Sequence, residues 1–390
     1  MAVPDWIWFV LIFAFGCCIG SFLNVVIYRL PRDKSLINPP SACPTCDIHI
    51  RFYDNIPLIS WLLLARKCRY CKAPISPRYF IIELLTGLVF TGIFFLYFRS
   101  NLRTGIPPFL RGGWFIYLIS IILLAALIAA SAIDLNLWVI PVSICHFAIA
   151  AGLISSAIGV YIIDPSVIRG YALLPSASPY TASLAAGAAI GLAISWMLLS
   201  TGLIKRSYES EDSPQSPGEP EKLTDSQLNP RLEVCKEILF LLPIILCSAA
   251  AFFAYWLIRH KYPIPAWSTW WVNLSQQPVI AGLLGSLWGY FVGCFVVWTT
   301  RIFGTLAFGK EAMGLGDVHL MGAAGTVIGP LFVAVAFFIA PFFGLAWAAC
   351  QMFYKKIRQI PYGPFLSLGV LVVIILHDRI LGYWNLICYH

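Results

Sequence analysis

Four cysteines and a few carboxylates are the residues of this chain whose types and spacing could do chemistry. Cys43-Pro44-Thr45-Cys46 and Cys68-Arg69-Tyr70-Cys71 form two Cys-x-x-Cys pairs separated by 21 residues. Each pair offers two thiolates from one tight turn, and two such turns complete a tetrahedron around zinc at about 2.3 Å per Zn–S bond. Four thiolates on a dication leave an excess negative charge, which Arg66, Lys67, Arg69 and Lys72 are placed to offset. No vacant ligand position is implied, so the ion is expected to be structural, clamping a loop too small to fold alone. Redox dithiols and chance spacing are the competing readings.

Acids are scarce in the apolar segments, which singles out Glu83, Asp134 and Asp317. Asp134 closes an apolar run in Ala132-Ile133-Asp134-Leu135-Asn136-Leu137-Trp138-Val139-Ile140-Pro141, and Asp317 opens one in Gly314-Leu315-Gly316-Asp317-Val318-His319. The glycines Gly314 and Gly316 allow a second carboxylate to come close. Two carboxyls sharing one proton can activate a water, the aspartic-protease arrangement. Alternatively, Asp134 is a helix end solvated at an interface, and Asp317 an N-cap. Glu83 reads as an interfacial residue or a partner of Arg78, and His319 as a polar anchor or a proton carrier.

The elements that must position these groups are membrane helices. Of 390 residues, 59% are hydrophobic and 11% charged, with a mean hydropathy of +0.81, far from the roughly 25% charge of soluble domains. Apolar segments fall at about 6–28, 79–98, 115–133, 139–160, 181–203, 237–258, 277–300, 318–334, 335–354 and 364–386, each near the roughly 20 residues a crossing helix needs. The expectation is an all-α polytopic membrane protein of about ten transmembrane helices, with membrane lipid as its surroundings. A small cytoplasmic zinc-ribbon-like domain follows the first helix. The unbroken run 318–354 is expected to be a hairpin hinged near Ile339-Ala340-Pro341. The first run, Trp6 to Tyr28, is too long for a signal-peptide core and reads as an uncleaved helix.

Basic residues orient the spans. Loop 29–78 carries Arg29, Arg32, Lys34, Arg51, Arg66, Lys67, Arg69, Lys72 and Arg78, which places it in the cytoplasm, and counting forward puts Asp134 and Asp317 at that same membrane edge. Arg99, Arg103, Arg111, Arg259 and Lys261 then fall outside, against the trend. The net charge of +8 is the sum of such anchors, and no nucleic-acid partner is expected. Most of the 12 cysteines lie in apolar runs as packing residues. Residues 207–231, rich in Ser, Pro and acid, read as a disordered loop. The organisation is then 1–28, first helix; 29–78, zinc domain; 79–160, helices bearing Asp134; 161–275, an insertion with two helices and the loop; and 276–390, helices bearing the Gly-x-Gly-Asp segment.

At this point the chain resembles the type IV prepilin peptidases, or prepilin leader peptidase/N-methyltransferases, a family of GxGD-type intramembrane aspartyl proteases. Gly20-Ser21-Phe22-Leu23-Asn24-Val25-Val26-Ile27-Tyr28-Arg29-Leu30-Pro31 carries the likeness. So do the paired Cys-x-x-Cys turns, Tyr53-Asn55-Ile56-Pro57, Ser76-Pro77-Arg78-Tyr79 with Glu83, the two aspartate segments, and Ile360-Pro361-Tyr362-Gly363-Pro364-Phe365-Leu366. The resemblance implies that Asp134 and Asp317 are catalytic, that they face the cytoplasm from a bacterial inner membrane, and that prepilins or type II secretion pseudopilins are cut after the glycine ending a short basic leader. It also implies N-methylation of the new N-terminus with S-adenosylmethionine, although no methyl-donor pocket is legible. Three departures stand out: His319 replaces a usual lysine, Val142 replaces a frequent acid, and four spans rather than two separate the aspartates. A transporter with a zinc-ribbon loop, its two aspartates binding a coupling cation, is the alternative from another class.

Overall fold

The computed structural model describes residues 4–43, 45–100, 102–204, 207, 230–261, 265–354 and 361–388. The expected disordered loop 207–231 lies almost wholly outside the described residues. Among those described, fourteen α-helices form: α1 (Asp5–Arg29), α2 (Ile59–Leu63), α3 (Pro77–Phe98), α4 (Gly113–Leu137), α5 (Val142–Ile162), α6 (Pro165–Gly170), α7 (Pro179–Ser200), α8 (Pro230–His260), α9 (Pro265–Gln276), α10 (Pro278–Phe308), α11 (Leu315–Ile328), α12 (Pro330–Tyr354), α13 (Gly363–Ile375) and α14 (His377–Cys388). Among the described residues there is no strand, only two isolated bridges, Ala42 to His49 and Lys67 to Pro74.

Helices cover most of all ten expected apolar segments, but 318–334 is broken at Gly329, 364–386 is divided between α13 and α14, and α5 starts only at Val142. Eight helices among the described residues are long and apolar enough to cross a membrane, or nine if α13 and α14, bent by 76° at their junction, count as one. The remaining segment is α11, with 14 residues. The expected hairpin is present, but its hinge is elsewhere. The chain reverses at Gly329, whose φ of +86° is open to glycine and strained for other residues, and Pro330 starts the next helix. Pro341 lies inside α12 instead. A helix packed among neighbours tolerates an interior proline, so the proline is the weaker break of the two.

Small residues set the closest approaches. A Cβ on Gly16 would stand 2.8 Å from the Cα of Gly87, and one on Gly20 would stand 2.7 Å from the Cα of Glu83. This small-xxx-small stripe lets α1 lie directly on α3. The same device joins α10 to α11, where a Cβ on Gly289 would meet the Gly325 carbonyl at 2.0 Å. Helices α7 and α8 pack chiefly on each other and then on α10. Pro243 leaves α8 without one helical donor, and the Ser195 hydroxyl of α7 donates to the Phe240 carbonyl at 2.7 Å.

The bundle has two distinct ends. At one, Arg99 pairs with Asp5, Arg103 with Asp378 at 2.9 Å, and Arg169 donates to the Gln276 carbonyl at 3.1 Å. The start of α11, the start of α13, the end of α4 and the cysteine-bearing loop gather at the other.

Candidate active site

Asp134 sits one turn before the end of α4, where its carbonyl accepts the N–H of Trp138 at 3.0 Å. Trp138 is in the left-handed region, φ +59°, and turns the chain out of the helix. Residues 139–141 then run to Pro141, which precedes α5, and Ile140 is buried on the way. Asp317 is the third residue of α11. Gly314 holds the cap position with no side-chain cap bond, and the Asp317 N–H donates to the Gly314 carbonyl at 3.2 Å. The N-cap alternative for Asp317 is therefore not what the structure displays. Nor is Asp134 a solvated helix end, since both aspartates are only 7% exposed.

What brings the two segments together is Ile140. A Cβ on Gly316 would lie 2.8 Å from the Ile140 Cβ, so any larger residue would push α11 off this side chain. A Cβ on Gly363 would lie 3.1 Å from the Ile140 Cδ1 and 2.8 Å from Asp134 Oδ2. The Gly363 N–H in fact donates to Asp134 Oδ2 at 3.0 Å. The two carboxyls thus lie around one isoleucine, near enough for the charge of Asp134 to act on Asp317. Tyr362 borders them; burial pushes its phenol up to about 12, and the charge of Asp317 adds to this. Such a pair can share a proton and bind a water, with one carboxyl as base and the other as acid.

The other expected supporting residues divide. Gly314 is more open than Gly316, its nearest neighbour across space being Asp317 Oδ2, 3.7 Å from a Cβ placed there. His319 turns its ring edge-on to His146 of α5, with 6.1 Å between centroids. Gly363 and Ile140 are not legible as site residues in the sequence, because their role depends on packing between α4, α11 and α13. The only local signal is the Tyr-Gly-Pro at the start of α13. A cavity of about 40 Å³ between Tyr97, Arg103, Ser120 and His377 is at the opposite end and has room for water only.

Cys43, Cys46, Cys68 and Cys71 converge, with all four Sγ atoms within 4.8 Å of one another. The two cysteine turns are built alike. Cys43 N–H donates to the Ile48 carbonyl at 3.0 Å and Asp47 N–H to the Cys43 carbonyl at 2.9 Å; Cys68 to Ala73 at 2.8 Å and Lys72 to Cys68 at 3.1 Å repeat the pattern. Asp47 and Lys72, each just after a second cysteine, are both left-handed. The Cys43 and Cys71 sulfurs are 3.8 Å apart, matching the edge of a tetrahedron with Zn–S bonds of about 2.3 Å. The Thr45 N–H, opposed by burial, draws the Cys43 thiol down to about 6. At Cys46 the Ile48 N–H also pulls down, but burial and the Cys71, Cys43 and Cys68 thiols hold the proton on, to about 12. A dication would take the place of these protons, and the donor set suits zinc.

The surrounding charges do not all act as expected. Arg69 forks onto Asp54, at 2.8 Å from Nε and 2.5 Å from Nη2, and Arg66 stacks on Trp61 at 4.9 Å. Both arginines brace the domain's own loops. Glu83 is not a partner of Arg78: its Oε2 accepts the Leu58 N–H at 2.8 Å, which fastens the cysteine-bearing loop to α3. Asn24 of α1 donates to the Tyr79 carbonyl at 3.1 Å and ties the same end of α1 to α3.

Two family models match the chain. "Bacterial Peptidase A24 N-terminal domain" matches residues 14–97, and "Type IV leader peptidase family" matches residues 239–349. The second match takes in Asp317 and reaches back over part of the stretch 161–275, while Asp134 lies between the two. A prepilin leader peptidase/N-methyltransferase of Myxococcus xanthus is 42% identical over 145 residues, covering 37% of this chain and 39% of the relative. One from Aeromonas hydrophila is 34% identical over 181 residues, covering 40% and 58%. A type 4 prepilin-like proteins leader peptide-processing enzyme of Escherichia coli O78:H11 is 41% identical over 159 residues, covering 36% and 54%. The chain thus spans between 39% and 58% of the length of these curated relatives. No solved structure matches it.

Proposed function

We propose that this chain, which matches the type IV leader peptidase family over residues 239–349, is a membrane aspartyl endopeptidase that removes the short basic leader of type IV prepilins or type II secretion pseudopilins. Asp134 and Asp317 are the catalytic pair in this reading. The observation that carries it is the burial of both carboxyls at one end of the bundle, around Ile140, with the Gly363 N–H on Asp134. One carboxylate takes a proton from a bound water as the oxygen attacks the carbonyl carbon of the leader's last glycine. The other carboxyl donates its proton to the departing amine as the C–N bond breaks. Burial strengthens both transfers, since no bulk water competes for the hydrogen bonds.

The active end faces the cytoplasm of a bacterial inner membrane, which is also where the basic residues of loop 29–78 would anchor. Zinc on Cys43, Cys46, Cys68 and Cys71 closes that loop into a fixed body against α1 and α3. After cleavage the new N-terminal amine is methylated, with S-adenosylmethionine supplying the methyl group; no residue of this chain is assigned to hold the donor. The family matches lend nothing to the transporter alternative.

Co-expression with a leader-bearing prepilin tests the proposal. Mass spectrometry of the pilin should report leader loss and an added methyl with the native chain, and neither cleavage nor methylation of the pilin with Asp134→Asn or Asp317→Asn. Normal processing by either variant would refute the assignment.

A further inference from the structure

The largest fully buried side chain among the described residues belongs to a cation, Arg301 of α10, which is 1% exposed. Its Nε donates to Glu237 Oε1 of α8 at 2.9 Å. Its Nη1 donates to Glu311 Oε1 at 2.7 Å and to the carbonyl of Met313. Glu237, 3% exposed, is itself anchored, taking the Trp298 indole N–H on Oε2 at 3.0 Å and the Ser207 hydroxyl on Oε1 at 3.3 Å. Glu311 and Met313 belong to the turn between α10 and α11, and Met313 immediately precedes the Gly314-Leu315-Gly316-Asp317 segment. One guanidinium therefore joins an element of the stretch 161–275 to the segment that aims Asp317.

We propose that Arg301 is a positioning residue for Asp317, held in place by Glu237, so that the α7–α8 hairpin takes part in setting the geometry of the aspartate pair. This rests on the peptidase reading above. The chemistry suits the role. A planar fork reaches a carboxylate, a second carboxylate and a backbone carbonyl at once and fixes their relative positions, which a point charge on a flexible stem does not. Thr305 supports the same turn, its hydroxyl accepting the Ala312 N–H at 3.3 Å. The charge of Arg301 also reaches Asp317. Removing one partner of a buried ion pair costs several kcal/mol, and two of the partners of Arg301, Glu311 and Met313, lie on the turn beside the site.

The test uses the full-length chain in detergent with a leader-bearing prepilin peptide. Arg301→Gln is expected to lower kcat by about 30-fold with KM within about twofold, the signature of misplaced rather than lost binding. Glu237→Gln should act in the same direction, and Arg301→Lys should recover part of the loss. Arg301→Met combined with Glu237→Met replaces the ion pair by apolar packing and should melt like the native chain while kcat stays low. Hydrogen exchange of 309–317 gives a readout that needs no cleavage; it should quicken in Arg301→Gln while α13 is unchanged. Native kcat in the folded double-methionine variant, or unaltered exchange in Arg301→Gln, would overturn the inference. If the native chain cuts no prepilin, the peptidase reading falls, and the exchange measurement alone decides whether Arg301 holds the turn.

Discussion

Gly363 offers a test of the site from its least conspicuous member. Its N–H is the donor to Asp134 Oδ2, at 3.0 Å, and a methyl group in its place would stand 2.8 Å from that oxygen and 3.4 Å from Cγ. Contacts this short are not sustained, so in Gly363→Ala the Asp134 carboxyl must move and surrender the bond. A hydrogen bond to a charged group contributes about 1.5–3 kcal/mol, which corresponds to a loss of about 10- to 150-fold in rate when it is needed in the transition state. Substrate contacts outside the pair are untouched, so kcat should carry the loss and KM should hold. Alanine suits the first turn of α13, so the stability loss is that of the bond itself, and the melting temperature should fall by about 3–12 °C, at about 2–4 °C for each kcal/mol. The measurement is cleavage of a leader-bearing peptide by purified protein, beside Gly92→Ala, where an added methyl meets nothing within 4 Å. If Gly363→Ala cleaves as fast as Gly92→Ala, the argument that this N–H sets the Asp134 carboxyl is wrong.

Two further predictions concern the cysteine-bearing loop. Purified protein should contain one zinc per chain by elemental analysis, none in Cys43→Ser with Cys68→Ser, and chelation should open the loop to trypsin at Arg66, Lys67 and Arg69 while leaving the helical circular dichroism largely intact. Protection unchanged by metal loss would contradict a structural role. Asp54 is held below the ordinary carboxylate range by the Arg69 guanidinium, so its folded value is depressed, and its stabilisation is complete above about pH 4 and fades as pH falls through the lowered value. The melting gap between the zinc-loaded native chain and zinc-loaded Asp54→Asn should be constant from pH 5 to 7 and narrow below pH 4. Because Arg69 is half-exposed the gap is small, and a gap that widened in acid would reverse the assignment.

Features that depend on near neighbours in the chain are legible in the amino-acid sequence alone. The cysteine spacing determines that each pair shares one turn, and the apolar runs determine where helices lie, because both are local constraints. The hinge in 318–354 departs from expectation for a specific reason. Pro341 carries the stronger breaker signal by residue type, whereas in a packed apolar helix a proline is absorbed and the glycine–proline junction at Gly329, with its positive φ, reverses the chain. Ile140, Gly363 and the Glu237–Arg301 pair are not readable in the same way. Their partners are 176, 229 and 64 positions distant, measured from Ile140 to Gly316, Gly363 to Asp134, and Arg301 to Glu237, and only helix packing selects them. The basic residues that run against the orientation rule also have a local physical account. Arg99 and Arg103 are each paired with an acid, and Arg259 lies over the Tyr180 ring at 5.4 Å, so their charge is engaged by the protein at that end.

Asp134 and Asp317 are far apart in the chain, and packing accounts for how their segments meet. Helices α4, α5, α10, α11 and α13 form one connected set of direct contacts, with the Gly289–Gly325 approach fixing α10 on α11 and Gly152 fixing α5 against Thr326. None of these contacts involves α7 or α8. The hairpin lies against α10 from outside this group, and an even number of added spans returns the chain to the end from which it left. Extra length between the aspartates therefore adds sequence without altering which faces meet. The exception is Arg301, through which Glu237 of α8 is joined to the turn before Asp317. A chain that inserted two helices without such a connection would place its pair as well as one without the insertion. In this chain the connection exists, and the hairpin is expected to matter for rate through that guanidinium.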